Sequence, residues 1–271
     1  MMGGMPAPLP RDKKLPKEAV LVTGAAGAIG SATVRAFIAA GFSVVGLDVV
    51  ETVTEVPTGS SPEIDGAPGS YRGLQVNVED EVAVADALAT AQAAGPLAHV
   101  VGIAGGALPE EPVSRADPAQ LSAKVFRASV EANLTSQYIV LQAALPWLRA
   151  RSGVDRSVTF TSSWNALTGV GMPAYSAAKA GVIGMMHALT GPLGDDGIRV
   201  NVVAPGTIRT ARTERIWAHD EGRWERLAST TALGRLGGPD DVARTFVALA
   251  TTLTHVTGQV LVVDGGQLVK R

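Results

Sequence analysis

Short apolar runs alternate with longer helix-like stretches along most of the chain. Seven of the runs are apolar on both faces and are bounded by turn residues, which is the pattern of strands buried in a parallel sheet. The runs are residues 19–22, 43–47, 74–78, 99–103, 158–160, 199–203 and 260–263. The helix-like stretches are residues 31–40, 81–94, 116–150, 174–189 and 240–252. This alternation predicts an α/β fold: a doubly wound, seven-stranded parallel sheet with helices on both faces.

Three segments stand outside this alternation. Residues 1–17 are rich in Pro, Gly and Lys and predict a flexible N-terminal leader, which leaves 18–271 as a single domain. Residues 51–72, rich in Pro, Gly and Ser, predict an extended loop between the second and third strands. Residues 207–238 carry two tryptophans among many charges, and they predict short helices that form a lid over a substrate pocket.

Composition narrows the function classes. The 271 residues include 23 Lys and Arg against 25 Asp and Glu, and this balance gives no sign of a nucleic-acid partner. No apolar run approaches the roughly 20 residues that span a bilayer, and no secretory signal pattern is present. Cysteine is absent, which excludes disulfides, thiol catalysis and zinc–thiolate sites and suits a reducing compartment. We therefore expect a cytoplasmic protein without a membrane or nucleic-acid partner.

A glycine-rich loop follows the first strand and opens the first helix. Its glycines are Gly24, Gly27 and Gly30, in the sequence TGAAGAIG. Glycine lets the backbone turn tightly and approach a pyrophosphate, whose charge is stabilised by the free N–H groups at a helix N-terminus. An ordinary strand-to-helix turn could contain the same glycines. We expect Ala28 and Ile29 to join them in a dinucleotide site.

Asp48 ends the second strand, 24 positions after Gly24. An acid at this position accepts hydrogen bonds from the adenosine ribose of a dinucleotide. Its carboxylate would repel a 2′-phosphate, and no Lys or Arg between Arg35 and Arg72 offsets that charge. NAD is therefore expected in preference to NADP. The alternative interpretation of Asp48 is a solvated acid at the end of a strand.

Tyr175 and Lys179 lie four residues apart, just after Pro173, at the predicted start of a helix. Side chains at this spacing share one helix face and can point into one cleft. An ordinary tyrosine titrates near 10, and a neighbouring ammonium lowers its pKa toward values suitable for acid–base work. Ser162 lies 13 residues earlier, at the end of a strand, where its hydroxyl could hydrogen-bond a carbonyl or alcohol oxygen. Ser163 is the alternative for this role.

The remaining candidates have structural explanations as well as chemical ones. The four histidines fall in different segments without metal-ligand spacing, so no metal site is predicted. Arg209, Arg212 and Arg215 in the lid could meet an anionic substrate group, although a solvated helix face is the better explanation. Trp164 and Met172 flank the expected cleft and favour a substrate with an apolar or aromatic portion, unless they belong to the core.

Several motifs together resemble the short-chain dehydrogenase/reductase family, in its compact single-domain branch. The motifs are TGAAGAIG, the glycine-rich end of the fourth strand at 101–105, Asn133 in NLTS, Ser162, YSAAK, NVVAPGTIRT and the late VDGG. Their order and spacing match the family over about residues 18–267. The resemblance implies a Rossmann-type fold and reversible hydride transfer between a nicotinamide cofactor and a secondary alcohol or carbonyl compound.

The resemblance also implies roles for individual residues. Tyr175 would be the general acid/base, and Lys179 would hold the nicotinamide ribose and lower the pKa of Tyr175. Ser162 would orient the substrate oxygen, and Asn133 would position a water in a proton relay that leads from Lys179. Further cofactor contacts are implied for Asn77, Val78, Ala104, Gly105, Pro205, Gly206, Ile208 and Thr210.

The chain departs from the family pattern at three places. Ala28 replaces the middle glycine of the loop, Asn77 replaces the usual Asp, and glycine and isoleucine at 102–103 replace two Asn that brace the sheet. None of these changes touches the four expected catalytic residues, so catalysis is still predicted. Small residues crowd the helix after Tyr175, and the resemblance favours a homotetramer, or a homodimer, built partly on that helix.

The expected function is NAD-dependent hydride transfer at a secondary alcohol or carbonyl group, and Asp48 favours the oxidative direction. An NADPH-linked 3-oxoacyl-thioester reductase is the alternative enzyme, and it would need a basic site for the 2′-phosphate. A dinucleotide-binding sensor without turnover is the alternative from another class, and it would be expected to lack part of the catalytic set. Sugar, sterol, terpenoid, aromatic alcohol and hydroxyacyl substrates all stay open.

Overall fold

The computed structural model describes residues 18–54, 69–91, 94–111, 117–168 and 172–269. The leader predicted at 1–17 lies outside these residues, as does the central part, 55–68, of the loop predicted at 51–72. Within the described chain, strands and helices alternate as the apolar pattern indicates.

Seven parallel strands form one sheet, in the order β3-β2-β1-β4-β5-β6-β7. The strands are β1 (Ala19–Thr23), β2 (Ser43–Asp48), β3 (Ser70–Gln75), β4 (Leu97–Gly102), β5 (Arg156–Thr161), β6 (Ile198–Pro205) and β7 (Val260–Val263). The chain runs outward from β1 to β3 and then crosses to the other side of β1, where it runs outward from β4 to β7. This order confirms the doubly wound, Rossmann-type sheet.

Helices connect successive strands and cover both faces of the sheet. They are α1 (Ala28–Ala39), α2 (Glu81–Ala91), α3 (Ala123–Val130), α4 (Ser136–Arg149), α5 (Asn165–Thr168), α6 (Pro173–Asp195), α7 (Ala211–Ile216), α8 (Arg223–Ser229) and α9 (Pro239–Thr251). A π-helical turn, Glu131–Thr135, joins α3 to α4. The short helices α7 and α8 fall within the lid segment 207–238. In the described part of the chain, no helix has the length and apolar character needed to cross a membrane.

The third strand lies earlier in the chain than the apolar pattern predicted. It runs Ser70–Gln75 instead of 74–78, and it pairs with β2 along its whole length. β3 is an edge strand whose side chains are exposed or only half-buried, so it carries no long apolar run. Val76 and Val78, which suggested the strand, lie in the core just beyond its end.

Two further predicted segments are divided or shortened in the structure. The stretch at 116–150, predicted as one helix, is divided by a 3-10 turn at Pro118–Gln120 and by the π turn between α3 and α4. The loop predicted at 51–72 is shorter at both ends, because Glu51–Thr54 forms a 3-10 helix and residues 70–72 belong to β3. Each correction comes from backbone hydrogen bonds that the side-chain pattern does not show.

Alternate residues of the strands enter two core clusters, one on each face of the sheet. Leu21 of β1 packs with side chains of α2, α4 and α6, whereas Val20 and Val22 pack with side chains of α1 and α9. Burying both faces in this way explains why the strands are continuously apolar. The helices therefore hold the carboxyl ends of the strands in fixed positions.

The carboxyl ends of the strands meet at one edge of the sheet. β1 leads into Gly24, β2 ends at Asp48, and β4 leads into Ala104. β5 leads into Ser162, and β6 ends at Pro205. Ligands bind at this edge in open parallel sheets, so the fold brings the predicted site residues to the expected place.

Candidate active site

Gly24 and Gly30 shape the turn between β1 and α1. Gly24 has φ +66°, a left-handed conformation that favours glycine, and a Cβ there would lie 2.9 Å from the backbone nitrogen of Ala104. A Cβ on Gly30 would lie 1.9 Å from the carbonyl oxygen of Gly24. Neither position accepts a side chain, so the loop stays close to both α1 and the end of β4.

The N-terminus of α1 opens onto this loop without a side-chain cap. Gly27 is the N-cap residue, α1 begins at Ala28, and the first turn holds no acidic residue. The first N–H groups of a helix have no partner within the helix, so they are available to anionic oxygens. Ala28 and Ile29 have ordinary helical backbone, so the methyl group of Ala28 causes no strain where the family has glycine.

The Asp48 carboxylate lies beside the glycine-rich loop. Its Oδ2 accepts a hydrogen bond from the Ala26 N–H at 3.0 Å, and its Oδ1 accepts one from the Val50 N–H at 3.3 Å. The residue is half-buried. Asp48 is therefore held against the loop rather than free in solvent, as a ribose-binding acid requires.

Tyr175, Lys179 and Ser163 form a cluster between the end of β5 and the start of α6. Tyr175 is in the first turn of α6, and the Ser163 hydroxyl, which accepts a hydrogen bond from the Asn165 N–H at 3.2 Å, lies near enough to the phenol to lower its pKa. Lys179 lies one turn later, with Nζ 5.8 Å from the centre of the Tyr175 ring. Lys179 is buried, and its Nζ donates a hydrogen bond to the Thr161 carbonyl oxygen at 2.9 Å. The predicted Tyr–Lys pair thus shares one helix face.

Ser162 points away from Tyr175, contrary to the prediction. Its hydroxyl donates a hydrogen bond to the carbonyl oxygen of Lys179 at 2.7 Å, inside the core. Side chains of successive residues in extended chain point in opposite directions, so only one of the two serines after β5 reaches the phenol. The structure places Ser163 on that side, so the Ser162 hydroxyl does not face the cleft as predicted, and the serine that would orient a substrate stays a prediction.

Burial governs the ionisation of the Tyr175–Lys179 pair. It raises the pKa of Tyr175 above its ordinary value, while the hydrogen bond with Ser163 and the positive charge of Arg212 act in the opposite direction. Burial also lowers the pKa of Lys179 to about 7, so its amine is only partly protonated at neutral pH. Ser163 and Arg212 are the groups that lower the Tyr175 pKa in this structure, and the lowering expected from Lys179 stays a prediction.

Asn133 lies in the π turn and braces the loop after β4. Its Oδ1 accepts a hydrogen bond from the Gly106 N–H at 2.7 Å, and its Nδ2 donates to the carbonyl oxygens of Gly106 and Ser129, each at 3.0 Å. Gly105 has φ +123°, and a Cβ there would lie 2.6 Å from Asn133 Oδ1. These contacts shape the site beside the end of β4. The water relay from Lys179 stays a prediction.

Thr23 ties the end of β1 to the residues that follow β4. Its Oγ1 accepts hydrogen bonds from the N–H groups of Ile103 and Ala104 at 3.0 and 3.1 Å. A threonine hydroxyl thus braces this part of the sheet, where the family uses amide side chains. Ala104 stays next to Gly24, as a contact of the dinucleotide loop would.

Four predicted cofactor contacts lie at the end of β6 and the start of the lid. Pro205 ends the strand, Gly206 follows it, and Ile208 is buried. Thr210 is the N-cap residue of α7, and its Oγ1 accepts a hydrogen bond from the Thr213 N–H at 3.2 Å. All four lie at the same edge of the sheet as Tyr175.

Asn77 and Val78 follow β3 at this edge. Asn77 is exposed, and its Oδ1 accepts a hydrogen bond from the Glu79 N–H at 3.1 Å. The Val78 side chain is buried in the core. Asn77 therefore presents a polar side chain at the surface, whereas Val78 can reach a ligand only through its backbone.

The lid segment 207–238 contains paired aromatic rings and arginines. The rings of Trp217 and Trp224 meet edge to face, with centroids 5.3 Å apart. Arg223 stacks 4.2 Å from the Trp217 ring, and Arg209 stacks 5.1 Å from the Trp224 ring. Arg212 instead donates a hydrogen bond to a backbone carbonyl of the loop after β4, at 2.5 Å. It is the lid arginine whose charge acts on Tyr175.

Comparison with known proteins decides the family. A family model described as enoyl-(acyl carrier protein) reductase matches residues 24–267, which include Asn133, Tyr175 and Lys179. The chain is a short-chain dehydrogenase/reductase. The family resemblance stated from the motifs is thereby confirmed.

Curated relatives of this short-chain dehydrogenase/reductase span nearly the whole chain. An uncharacterized oxidoreductase of Schizosaccharomyces pombe is 35% identical over 92% of this chain and 90% of the relative. A probable galactose dehydrogenase of Rhizobium meliloti is 32% identical over 91% of this chain and 93% of the relative. A 3-oxoacyl-[acyl-carrier-protein] reductase of Thermotoga maritima is also 32% identical, over 94% and 100%. The relatives share the oxidoreductase class and differ in substrate.

Solved structures of the family have the same fold as this short-chain dehydrogenase/reductase. An oxidoreductase from Burkholderia thailandensis is 34% identical and has a TM-score of 0.79, with 93% of each chain covered. ElxO, solved with NADP bound, is 26% identical and has a TM-score of 0.81, with 93% of this chain and 99% of ElxO covered. Family members bind a nicotinamide cofactor, and the neighbour's NADP belongs to that protein.

The residues of this short-chain dehydrogenase/reductase fit a nicotinamide dinucleotide. A side chain at Gly24 or Gly30 would collide with backbone, so the loop leaves the N-terminus of α1 open to a diphosphate. Asp48 lies beside the same loop, where the ribose acid is expected. Tyr175 and Lys179 lie at the same edge of the sheet, behind β5, where the nicotinamide end would be needed.

Two residues of this short-chain dehydrogenase/reductase act on the site in ways that the motifs did not reveal. Glu111 is buried, and its carboxylate accepts hydrogen bonds from the Ala174 and Tyr175 N–H groups. Ala174 and Tyr175 lie 63 and 64 positions after Glu111 in the chain, so no local sequence pattern signals the contact. Arg212 was noticed as a lid arginine, but only the fold shows that its charge reaches Tyr175.

Proposed function

We propose that the protein is an NAD-dependent oxidoreductase that transfers a hydride between nicotinamide and a secondary alcohol or carbonyl compound. The observation that carries this proposal is the meeting of the Tyr175 phenol, the Ser163 hydroxyl and the Lys179 amine at the ligand-binding edge of the sheet. A hydroxyl next to a half-buried phenol is suited to hold a substrate oxygen while the phenol moves its proton. The bound nicotinamide would accept or supply the hydride.

Each polar side chain of the cluster has a role in this reaction. In the oxidative direction Tyr175 takes the hydroxyl proton of the substrate in its phenolate form, which Ser163 and Arg212 favour against the effect of burial, and Ser163 holds the substrate oxygen toward it. Lys179 holds the nicotinamide ribose from one turn further along α6. Asn133 holds the loop after β4 and positions a water in a relay from Lys179. Reduction uses the same groups in reverse, with Tyr175 as the acid.

The surroundings of Asp48 support NAD over NADP. A carboxylate beside the glycine-rich loop repels a 2′-phosphate. The two cations nearest to it in sequence are directed elsewhere: Arg35 lies 3.9 Å from Asp240, and Arg72 donates to the Thr90 carbonyl oxygen. Both arginines therefore already have partners other than a phosphate at Asp48, which supports the proposal. The NAD preference supports oxidation of an alcohol as the main direction.

An NADPH-linked 3-oxoacyl-thioester reductase is the second candidate function. It is favoured by the 32% identity to the Thermotoga maritima 3-oxoacyl reductase over the whole length of that relative. The same cluster of Tyr175, Ser163 and Lys179 would serve it, with Tyr175 as the acid. The two candidates differ in the cofactor they require, so Asp48 is the residue that separates them.

We also propose a single catalytic domain over 18–271, in which residues 207–238 close over the substrate. The protein is proposed to be cytoplasmic and to act on a small molecule without a membrane or nucleic-acid partner. A homotetramer or homodimer is proposed from α6, where a Cβ on Gly184, Gly191 or Gly194 would meet nothing within 4 Å. Such an open face lets a helix of a second copy approach closely.

The first experiment is a calorimetric and fluorescence titration of the protein with NADH and with NADPH. Wild type is compared with Asp48→Asn, which removes the charge and keeps an oxygen for the Ala26 N–H. Asp86→Asn, an exposed acid on α2, is the matched control. We expect NADH to bind at least tenfold more tightly than NADPH, about 1.4 kcal/mol. Of the two variants, only Asp48→Asn should reduce the preference for NADH over NADPH.

Turnover then separates the proposed enzymes from a sensor. Oxidation of secondary alcohols with NAD, lost in Tyr175→Phe, is the expected result. Equal or tighter NADPH binding, with reduction of 3-oxoacyl thioesters, would favour the second candidate. Cofactor binding without turnover in either direction would indicate a dinucleotide sensor and contradict both enzyme proposals.

A further inference from the structure

The helix that carries Tyr175 begins without a cap of its own. Met172 is the N-cap residue of α6 and Pro173 is the first helical residue. Methionine has no side-chain oxygen to offer, and the Met172 backbone is left-handed at φ +43°. Proline has no N–H. The N–H groups of Ala174 and Tyr175 therefore need an acceptor from another part of the fold.

Glu111, in the loop after β4, supplies that acceptor. Its Oε1 accepts hydrogen bonds from the Ala174 N–H at 2.7 Å and the Tyr175 N–H at 3.1 Å, and its Oε2 also lies 3.1 Å from the Tyr175 nitrogen. Glu111 is 3% exposed. None of the salt bridges in the described part of the chain involves Glu111. The carboxylate is thus stabilised by backbone N–H groups and by the positive end of the α6 dipole.

Glu111 also connects Tyr175 with Asn133. Ser129, buried near the end of α3, donates its hydroxyl to Glu111 Oε2 at 3.4 Å. The Ser129 carbonyl oxygen accepts a hydrogen bond from Asn133 Nδ2, and Asn133 Oδ1 holds the Gly106 N–H. One chain of hydrogen bonds therefore runs from the first turn of α6 to the π turn.

We propose that Glu111 is a positioning residue that holds the Tyr175 turn of α6 in register with the π turn and places a fixed negative charge near the phenol. The effect of Glu111 on turnover rests on the proposed function, whereas its hydrogen bonds to α6 and Ser129 do not depend on that function. The charge of Glu111 raises the pKa of Tyr175, and it opposes Arg212 from α7 and the Ser163 hydroxyl from the end of β5. Lys179 is the ionisable neighbour on α6 itself.

Three variants separate the charge of Glu111 from its hydrogen bonds. Glu111→Gln keeps a carbonyl oxygen for the helix N–H groups and removes the charge. Glu111→Ala removes both. Glu110→Gln, which removes the exposed carboxylate next to it, is the matched control. Tyrosine labelled with ¹³C at Cζ reports the titration of Tyr175 by NMR, and Tyr175→Phe identifies its signal among the three tyrosines.

We expect the Tyr175 midpoint to fall by about 0.5 pH unit or more in Glu111→Gln, since a negative neighbour is removed. Glu110→Gln should titrate like wild type. The pH profile of kcat for alcohol oxidation should move to lower pH by the same amount. Glu111→Ala should lose at least tenfold in kcat, and Glu111→Gln should retain most of it.

An unchanged midpoint in Glu111→Gln, or an equal shift in Glu110→Gln, would overturn the proposal. So would a wild-type kcat in Glu111→Ala. If Glu111→Gln does not fold, Glu111→Asp is the substitute, because it keeps the charge on a shorter side chain. Its kcat should then fall while the Tyr175 midpoint is not lowered. A lowered Tyr175 midpoint in Glu111→Asp would contradict the proposal. The NMR titration needs neither cofactor nor turnover. A shifted midpoint in a protein that oxidises no alcohol would support the role of Glu111 and refute the proposed function.

Discussion

The hydroxyl of Ser162 donates a hydrogen bond to the carbonyl oxygen of Lys179 at 2.7 Å. Both residues are 2% exposed, so the contact lies inside the core. The Lys179 amine bonds the Thr161 carbonyl oxygen at 2.9 Å. Lys179 is therefore fastened to the end of β5 through both its backbone and its side chain. The next serine, Ser163, is left to face Tyr175.

This geometry predicts different effects for the two serine-to-alanine variants. Ser163→Ala should lower kcat by about 10- to 100-fold, because a hydrogen bond to a reacting oxygen is lost, and it should also cost about 1 kcal/mol of stability, because the Ser163 hydroxyl bonds Asn165. Ser162→Ala should lower the free energy of unfolding by about 1 kcal/mol and leave most of the activity. Steady-state kinetics and urea unfolding of both variants test the pair. A larger loss of kcat in Ser162→Ala would restore the assignment made from sequence.

Replacing Lys179 with Met should remove activity and stabilise the fold at neutral pH. Burial lowers the Lys179 pKa to about 7 from its ordinary 10.5, so the unfolded chain binds more protons between these values. The free energy of unfolding of the wild type should therefore rise between pH 7 and about 10.5. Lys179→Met lacks this pH-dependent contribution. The Thr161 carbonyl oxygen keeps its hydrogen bond from Gln137 Nε2 at 3.1 Å in the variant.

Urea unfolding at pH 7, 8.5 and 10 measures this effect. The excess stability of Lys179→Met should be largest at pH 7 and below, and it should shrink toward pH 10. Lys124→Met, at an exposed position on α3, should show no such trend. A stability difference that is constant across this range would mean that Lys179 titrates normally in the folded protein.

Arg212 should shift the pH dependence of the reaction. Its positive charge lowers the pKa of Tyr175, so Arg212→Ala should raise that pKa and move the rise of the oxidation rate to higher pH. Arg215→Ala is the control, because Arg215 is also exposed on α7 and its Nε donates to the Ala211 carbonyl oxygen of the same helix. The measurement is kcat against pH for both variants. Equal profiles for Arg212→Ala and wild type would show that the guanidinium does not act on the phenol.

The glycine-rich loop should tolerate a methyl group at Gly27 better than at Gly30. A Cβ on Gly30 would lie 1.9 Å from the Gly24 carbonyl oxygen, whereas one on Gly27 would lie 3.2 Å from it. Gly30→Ala should therefore lower the free energy of unfolding by at least about 1–3 kcal/mol and abolish NADH binding. Gly27→Ala should keep most of both. Thermal unfolding and NADH titration test the order, and equal losses would contradict this account of the loop.

Gly184 tests the proposed assembly through α6. A Cβ there would meet nothing within 4 Å, so Gly184→Arg is expected to fold. If α6 packs against a second copy, the bulky charge should reduce the oligomer to a smaller species. Ala85→Arg, at an exposed position on α2, should leave the assembly intact. Light scattering after size-exclusion chromatography gives the masses, and an unchanged mass for Gly184→Arg would place the interface elsewhere.

Much of the fold and the site could be predicted from the sequence, because the signals are local. Strands buried on both faces of a parallel sheet must be apolar throughout, so the pattern revealed six of the seven strands close to their observed positions. The edge strand β3 was misplaced because half its side chains face solvent and the apolar residues lie beyond its end. The loop glycines, Asp48, and the Tyr175–Lys179 pair were found because each occupies a set position relative to a strand end or a helix turn.

Only the tertiary structure decided which groups meet across the chain. The choice between Ser162 and Ser163 depends on how the chain turns after β5, which residue spacing does not specify. The cap that Glu111 places on α6 joins residues more than 60 positions apart. The sequence by itself determined the family, the sheet and the spacing of the Tyr175–Lys179 pair, because local pattern encodes them. The fold determined the ionisation of that pair, because the pKa of a buried group depends on every charge and dipole packed around it.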